Sequence, residues 1–447
     1  MTDARVEGLE QFQDWRFGIF VHWGVASGYT KVRHPILAKE RQDHLIGTRW
    51  DEHAGRFDAS VWVDAFEKAG ARYVTFTCKH HPDFCLFRTA QTDYRSERDY
   101  TAELASECRK RDLPLFLYIS LAGEDFNVMR GWNTSAPGNQ GEGFGNWPQR
   151  MERHHARLTA WLGEICDQYQ PAGIWFDGWP GMVRSMDAAG VDPLELFDFA
   201  ELTRPIREAD SSMLIGNKRV YPPHIDFLES EWMFRDHFGG ELFGDRVPTE
   251  VCDVLPGSNW FSKYSEQTKF LTEAETDRQV TLYLKRLVSC AGRGINYLLD
   301  TGPLPNGELQ ADEMAVLRGI GDWLQTHGEA IYGTRARAHL CGDWGYCLGK
   351  QDKLYLHVID SRDIDQAGGR KIHSADTPFL KSGAPDTGDI ELPPPDVPIH
   401  DACLFPSGEP IRYDQDASGI RLSLGGAPRG AVDTIVEMRV EAGRHNQ

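Results

Sequence analysis

Several absences narrow what this chain can be. No apolar run approaches the ~20 residues needed to cross a bilayer, and the opening "MTDARVEGLEQFQDW" has neither the basic nor the apolar segment of an export signal. Cationic residues are in deficit, 48 Lys and Arg against 67 Asp and Glu, a formal charge of −19. So acidic a chain repels polyphosphates and anionic lipids, and neither nucleic acid nor a membrane is expected as a partner. Paired cysteines are missing as well. The nine Cys are odd in number and scattered, with no C-x-x-C, which fits reduced, buried thiols in a cytoplasmic protein. No G-x-G-x-x-G follows the first strand-like run, and neither G-x-S-x-G nor H-E-x-x-H occurs. Dinucleotide binding, a serine nucleophile elbow and a helical zinc site each lose their usual support.

What the sequence does contain is a regular alternation. The runs 17–23, 73–78, 114–120, 172–178, 213–219, 226–231 and 295–303 read as strands, most of them rich in branched and aromatic residues. Helix-like segments cover 58–70, 100–112, 150–169, 193–210, 275–291 and 312–327. Such alternation makes a parallel sheet with crossover helices. Its length predicts an α/β fold, a (β/α)8 TIM-like barrel over residues 1–334; a doubly wound open sheet is the alternative. The Gly-rich stretch 138–147 reads as a loop near the site. After "GEAIYGT", short alternating runs such as "KLYLHVID" and "TIVEMRV" predict a small antiparallel β-sandwich domain over residues 335–447.

The strand-like runs end in groups that can do chemistry: His22; Lys79, His80 and His81; Tyr118 and Ser120; Asp177; Arg219; Glu229 and Glu231. In a barrel these ends converge on the face where active sites form. Neighbouring side chains on a strand point to opposite faces, so His80 and His81 can serve one site only if the strand has ended and the chain has turned. A metal hydrolase could draw on His80, His81, Asp83 and Asp177, although adjacent His residues rarely chelate one ion. Cleavage of a sugar bond needs two carboxylates with hydrogen-bonding and stacking partners. Asp177, Glu231, the His cluster and the Trp residues supply them.

These residues resemble the α-L-fucosidases of glycoside hydrolase family 29. The family's F-G-I-F-x-H-W-G is similar to "FGIFVHWG" (17–24), its K-H-H-D-G-F to "KHHPDF" (79–84) and its W-F-D-G to "WFDG" (175–178). Its L-L-N-I-G-P is similar to "LLDTGP" (298–303), and its I-G-x-W-L…N-G-E-A-I-Y-G-T to "IGDWLQTHGEAIYGT" (320–334). The resemblance implies a retaining exo-glycosidase acting on α-L-fucosylated glycans or oligosaccharides, with no cofactor and no metal. It implies Asp177 as nucleophile and His22, His80 and His81 as partners of the sugar hydroxyls. Tyr118, Trp175 and Arg219 would complete the pocket, and Trp260 in "NWFSKY" would pack on the apolar face of the sugar. Pro82 and Asp83 replace the Asp and Gly of the family's loop, so its backbone is expected to differ, and Asp300 stands where Asn is usual. The alternatives are a glycosidase for a related L-sugar such as L-galactose and a non-catalytic fucose-binding barrel.

A retaining site also needs a second carboxylic acid. Candidates downstream of Arg219 are Glu229, Glu231, Glu241 and Glu250, and on a strand Glu229 and Glu231 share a face. Glu231 is preferred. Trp232 and Met233, which follow it, can supply an apolar wall, and similar enzymes place their acid downstream of the pocket Arg and a "DF" step, here Asp226-Phe227. Glu250 is the alternative proton donor.

Overall fold

The computed structural model describes residues 3–27, 50–81, 83–123, 147–178, 197–218, 224–231, 247–256, 258–262, 271–360, 389–394, 398–427 and 430–440. The chain opens with α1 (Asp3–Trp15) and enters β1 (Phe17–Val21). Strands β2 (Val74–Lys79), β3 (Leu115–Ser120), β4 (Gly173–Asp177), β5 (Leu214–Lys218), β6 (Phe227–Glu231) and β7 (Thr249–Val254) follow in parallel. After a short ribbon, β8 (Ser258–Asn259) and β9 (Phe261–Ser262), strand β10 (Asn296–Thr301) pairs with both β7 and β1 and closes the barrel. The described crossover segments are helical: α2 (Trp50–His53), α3 (Ala59–Lys68), α4 (Tyr100–Lys110), α5 (Trp147–Tyr169), α6 (Phe199–Ala209), α7 (Glu273–Ala291) and α8 (Ala311–His327).

Local chemistry starts several of these helices. Asp58, Asp99 and Asp198 accept the backbone N–H groups of Ser60 (2.9 Å), Ala102 (2.9 Å) and Ala200 (2.8 Å), and Thr272 and Glu275 form a capping box. Each such cap stabilises its helix by ~1 kcal/mol.

Among the elements that escaped the sequence reading, β7 and α1 matter most for the barrel. β7 reads "TEVCDV", where two acids in six residues hide the apolar strand pattern. The polar α1 gives little amphipathic signal, yet its Phe12 plugs the barrel floor, 4.5 Å from the Phe227 ring and 5.5 Å from Tyr73. One expected helix was drawn too long: the segment expected to start at 193 is helical from Phe199, after the Asp198 cap. Of the Gly-rich stretch, residues 138–146 lie outside the described residues, and Trp147 opens α5.

The barrel interior is filled rather than open. Phe20, Tyr73, Phe116, Tyr118, Trp175, Leu214, Phe227 and Leu298 form one buried cluster. Beyond the barrel, β11 (Arg335–Ala336), β12 (Gly345–Lys350), β13 (Lys353–Val358), β15 (Ile399–Phe405) and β18 (Thr434–Val440) make an antiparallel sheet in the order β11-β12-β13-β18-β15. Strands β14 (Asp389–Leu392), β16 (Arg412–Asp416) and β17 (Gly419–Ser423) make a second sheet. Leu356 and Val436 from the first share a core with Ile390 and Leu422 from the second, giving a sandwich. No described helix is long and apolar enough to cross a membrane. All nine Cys are free thiols, most of them buried.

Candidate active site

The placement of His80 and His81 comes from how β2 ends. The register against β3 slips between Thr77 and Lys79, and the strand stops. The buried Lys79 ammonium meets Asp83 Oδ1 at 2.5 Å and donates to the Ser120 carbonyl at 2.7 Å. Asp83 takes a left-handed φ of 61°, and its N–H donates to the His80 carbonyl at 3.0 Å. The turn so anchored leaves the two imidazoles 4.2 Å apart. Lys79 and Asp83, read from the sequence as site groups, therefore prop the turn. Asp83 is also 3.3 Å from Arg157, so its carboxylate is committed to cations of the scaffold.

Asp177 closes β4 at the barrel mouth. The Tyr118 hydroxyl donates to its Oδ2 at 2.7 Å, and the Gly178 N–H donates to Oδ1 at 2.6 Å. Gly178 has φ +87°, and a Cβ there would lie 2.8 Å from Ala122, so a side chain would be excluded both by conformation and by space. The Lys218 ammonium at the end of β5 lies 3.4 Å from Asp177 Oδ1 and forms an ion pair with Glu231 at the end of β6. Burial opposes ionisation of Asp177. Lys218, His81 and the Tyr118 hydrogen bond more than offset it and hold the carboxyl far below the usual range. Burial likewise works against the Lys218 charge, but the two carboxylates raise its pKa above the ordinary lysine value.

With one ammonium touching both, the nearest oxygens of Asp177 and Glu231 stand at most about 6 Å apart. Sequence reasoning named Arg219 for the pocket and did not name Lys218. Arg219 lies outside the described residues, as do Trp232, Met233 and Glu241. The signal for Lys218 was alternation: Leu214 faces the barrel interior, and residues 216 and 218 follow at strand period.

Around these carboxylates sits a ring of imidazoles and aromatics. His22 follows β1, and its Nδ1 lies 2.6 Å from Asp300 Oδ1 on β10, which leaves Nε2 for the pocket. Burial first, and then the Lys218 charge, lower the His22 pKa. Burial and the neighbouring imidazoles do the same to His80. Both rings are therefore neutral at physiological pH. The Ser120 hydroxyl donates to the Ala122 carbonyl at 2.8 Å and so accepts from His81 Nδ1 at 2.6 Å. His81 Nε2 then faces Asp177 Oδ2 at 3.8 Å. Trp260, at the turn of the β8–β9 ribbon, stands 5.1 Å from His22 with Phe261 beside it at 5.4 Å. The ribbon can pack this close to β10 because residue 302 is Gly; a Cβ there would meet Ser262 N at 2.6 Å.

Trp175 and Tyr118, expected in the pocket, are both buried. The Trp175 indole N–H donates to Glu250 Oε1 at 3.0 Å, and the ring stacks on Tyr118 at 5.3 Å. The two form the floor of the site. Glu229 and Glu250 are fully buried below that floor, so Glu250, the alternative proton donor, does not reach the mouth.

Donor atoms of His80, His81 and Asp177 lie within 4.8 Å of one another, near enough to hold an ion. Both Asp177 oxygens are already engaged, however, and the Lys218 ammonium supplies the positive charge that a metal would bring. The set suits hydrogen bonding to a polyhydroxylated ligand better than chelation.

A family model described as alpha-L-fucosidase matches residues 3–329. The chain belongs to the α-L-fucosidase family. It is 27% identical over 353 residues to the plasma alpha-L-fucosidase of Rattus norvegicus, covering 72% of this chain and 70% of that one. Among solved structures, alpha-L-fucosidase isoenzyme 1 from Paenibacillus thiaminolyticus aligns with TM-score 0.72 and 23% identity, over 98% of this chain and all of that one. A Bacteroides thetaiotaomicron alpha-L-fucosidase, solved as a trapped covalent intermediate with 2-fluoro-fucosyl fluoride, aligns with TM-score 0.67 and 19% identity, over 98% and 96% of the two chains.

Proposed function

We propose that this fucosidase-family protein is a retaining exo-glycosidase that removes terminal α-L-fucosyl groups from glycans or oligosaccharides through a covalent fucosyl-Asp177 intermediate. The observation that carries this reading is the pair of carboxylates, Asp177 and Glu231, sharing one ammonium. Their nearest oxygens lie at most about 6 Å apart, compatible with the ~5–5.5 Å spacing of a nucleophile and an acid/base in retaining enzymes. Asp177, held ionised and oriented by Tyr118, attacks the anomeric carbon. Glu231, ion-paired with Lys218 in the free site, must take up a proton before attack; it then gives that proton to the departing oxygen and later takes one from water. Neutral His22 and His80, with His81, bind ring hydroxyls, and Trp260 and Phe261 offer apolar faces to the sugar. The relative trapped as a covalent intermediate supports the same chemistry.

The test is Asp177→Gly. Hydrolysis of an aryl α-L-fucoside should fall by roughly 10³-fold or more, and azide should restore part of it by entering the space left. Near wild-type kcat in this variant would remove Asp177 from the mechanism.

A further inference from the structure

Below the reactive layer the barrel buries two more carboxyl groups that the proposed reaction does not use. Glu229 on β6 and Glu250 on β7 are paired residues of adjacent parallel strands, and both have zero exposure. Glu250 accepts from the Trp175 indole at 3.0 Å and from the Tyr73 hydroxyl. Among the described residues no donor completes a close hydrogen bond to either oxygen of Glu229; the Trp175 indole N–H, which lies near both acids, is engaged at 3.0 Å by Glu250 Oε1. Two buried carboxylates side by side, one of them without a close donor of its own, is an arrangement that a low-dielectric core does not tolerate. One proton placed on Glu229 resolves it: the acid donates to Glu250, and one negative charge remains, held by three donors.

We propose that Glu229 and Glu250 share one proton at the barrel centre and act as a positioning pair, holding Trp175 as the floor on which Tyr118 and Asp177 are aligned. The line of contacts runs from Glu250 to the Trp175 N–H, from the Trp175 ring to the stacked Tyr118 ring, and from the Tyr118 hydroxyl to Asp177 Oδ2. Burial, and next the Glu250 charge, push the Glu229 carboxyl well above the usual range. Burial raises Glu250 too, against the hydrogen bonds it receives from Glu229, Tyr73 and Trp175. The ionisable groups facing the pair are Tyr73 ahead of β2, Lys218 on β5 and Cys252 on β7. The alignment of Asp177 rests on the catalytic reading above; the shared proton does not.

The experiment compares wild type with Glu229→Gln and Glu250→Gln. An amide at 229 still donates to Glu250 but cannot lose a proton. The folded wild type keeps a proton that the unfolded chain releases above pH ~4.3, so its stability falls as pH rises, by up to tenfold in the unfolding equilibrium constant per pH unit. Glu229→Gln should lack that slope and lose the infrared carbonyl band of a protonated acid. Glu250→Gln offers one acceptor oxygen where two donors need partners, and should lose roughly tenfold or more in kcat with KM little changed. A stability slope in Glu229→Gln equal to wild type would overturn the shared proton. Undiminished kcat in Glu250→Gln would overturn the positioning. A wild type inactive on fucosides that still shows the slope and the band would instead overturn the catalytic reading alone.

Discussion

Replacing Lys218 with Met tests the geometry of the site directly. The ammonium sits 3.4 Å from Asp177 and in contact with Glu231. At an effective dielectric near 20, one such contact amounts to about 5 kcal/mol of Coulomb attraction, against which the desolvation of both ions must be set. Without the ammonium, two carboxylates about 6 Å apart repel by about 3 kcal/mol, some two decades in a proton equilibrium. The pair should then titrate as a unit, with one member taking up a proton at higher pH than before. Because Asp177 must be ionised to attack, the acid limb of the pH–kcat/KM profile on an aryl α-L-fucoside should move to higher pH. Stability should respond with a definite sign. The folded-state pKa of Asp177 is depressed, so its stabilising contribution is present above the unfolded value near pH 4 and is lost in acid. Lys218→Met should therefore be destabilised at pH 7, by about 3–5 kcal/mol if no proton is taken up, and should approach wild type below pH 4. Thermal melts across pH, read beside the rate profile, check both parts. An unmoved acid limb together with equal melting temperatures at pH 7 would refute the arrangement of Lys218 between the two acids.

Glu231→Ala should separate two substrates: an aryl fucoside with an acidic leaving group should keep its glycosylation rate, while a natural glycan linkage should slow by roughly 10²–10⁴-fold. Equal losses on both would show that Glu231 is not the acid. Activity should survive prolonged dialysis against a chelator, because the His cluster and Asp177 act through hydrogen bonds and the Lys218 charge. Inactivation reversed by Zn²⁺ would point to a metal held by His80, His81 and Asp177.

Much of this molecule is determined by the sequence alone. Apolar strand runs and amphipathic helices alternate with a period that only a wound parallel sheet satisfies, and four of the five family motifs lie at the strands, the fifth on α8 and the turn after it. Asp177, Glu231, His22, His80 and His81 were legible because strand ends in a barrel converge whatever the details of packing. Other features depended on contacts between residues far apart in the chain. Nothing local distinguishes Lys79 from Lys218; one is spent on Asp83 under the turn, and the other stands between two acids. Nor does a run such as "TEVCDV" announce that its Glu will be fully buried beside another Glu. Trp175 and Tyr118 read as pocket residues; that they stack on each other as its floor is set by the barrel. Strand parity tells which side chains face inward, but the depth of each and the charge it meets are set by the register of neighbouring strands, and that register exists only once the barrel has closed.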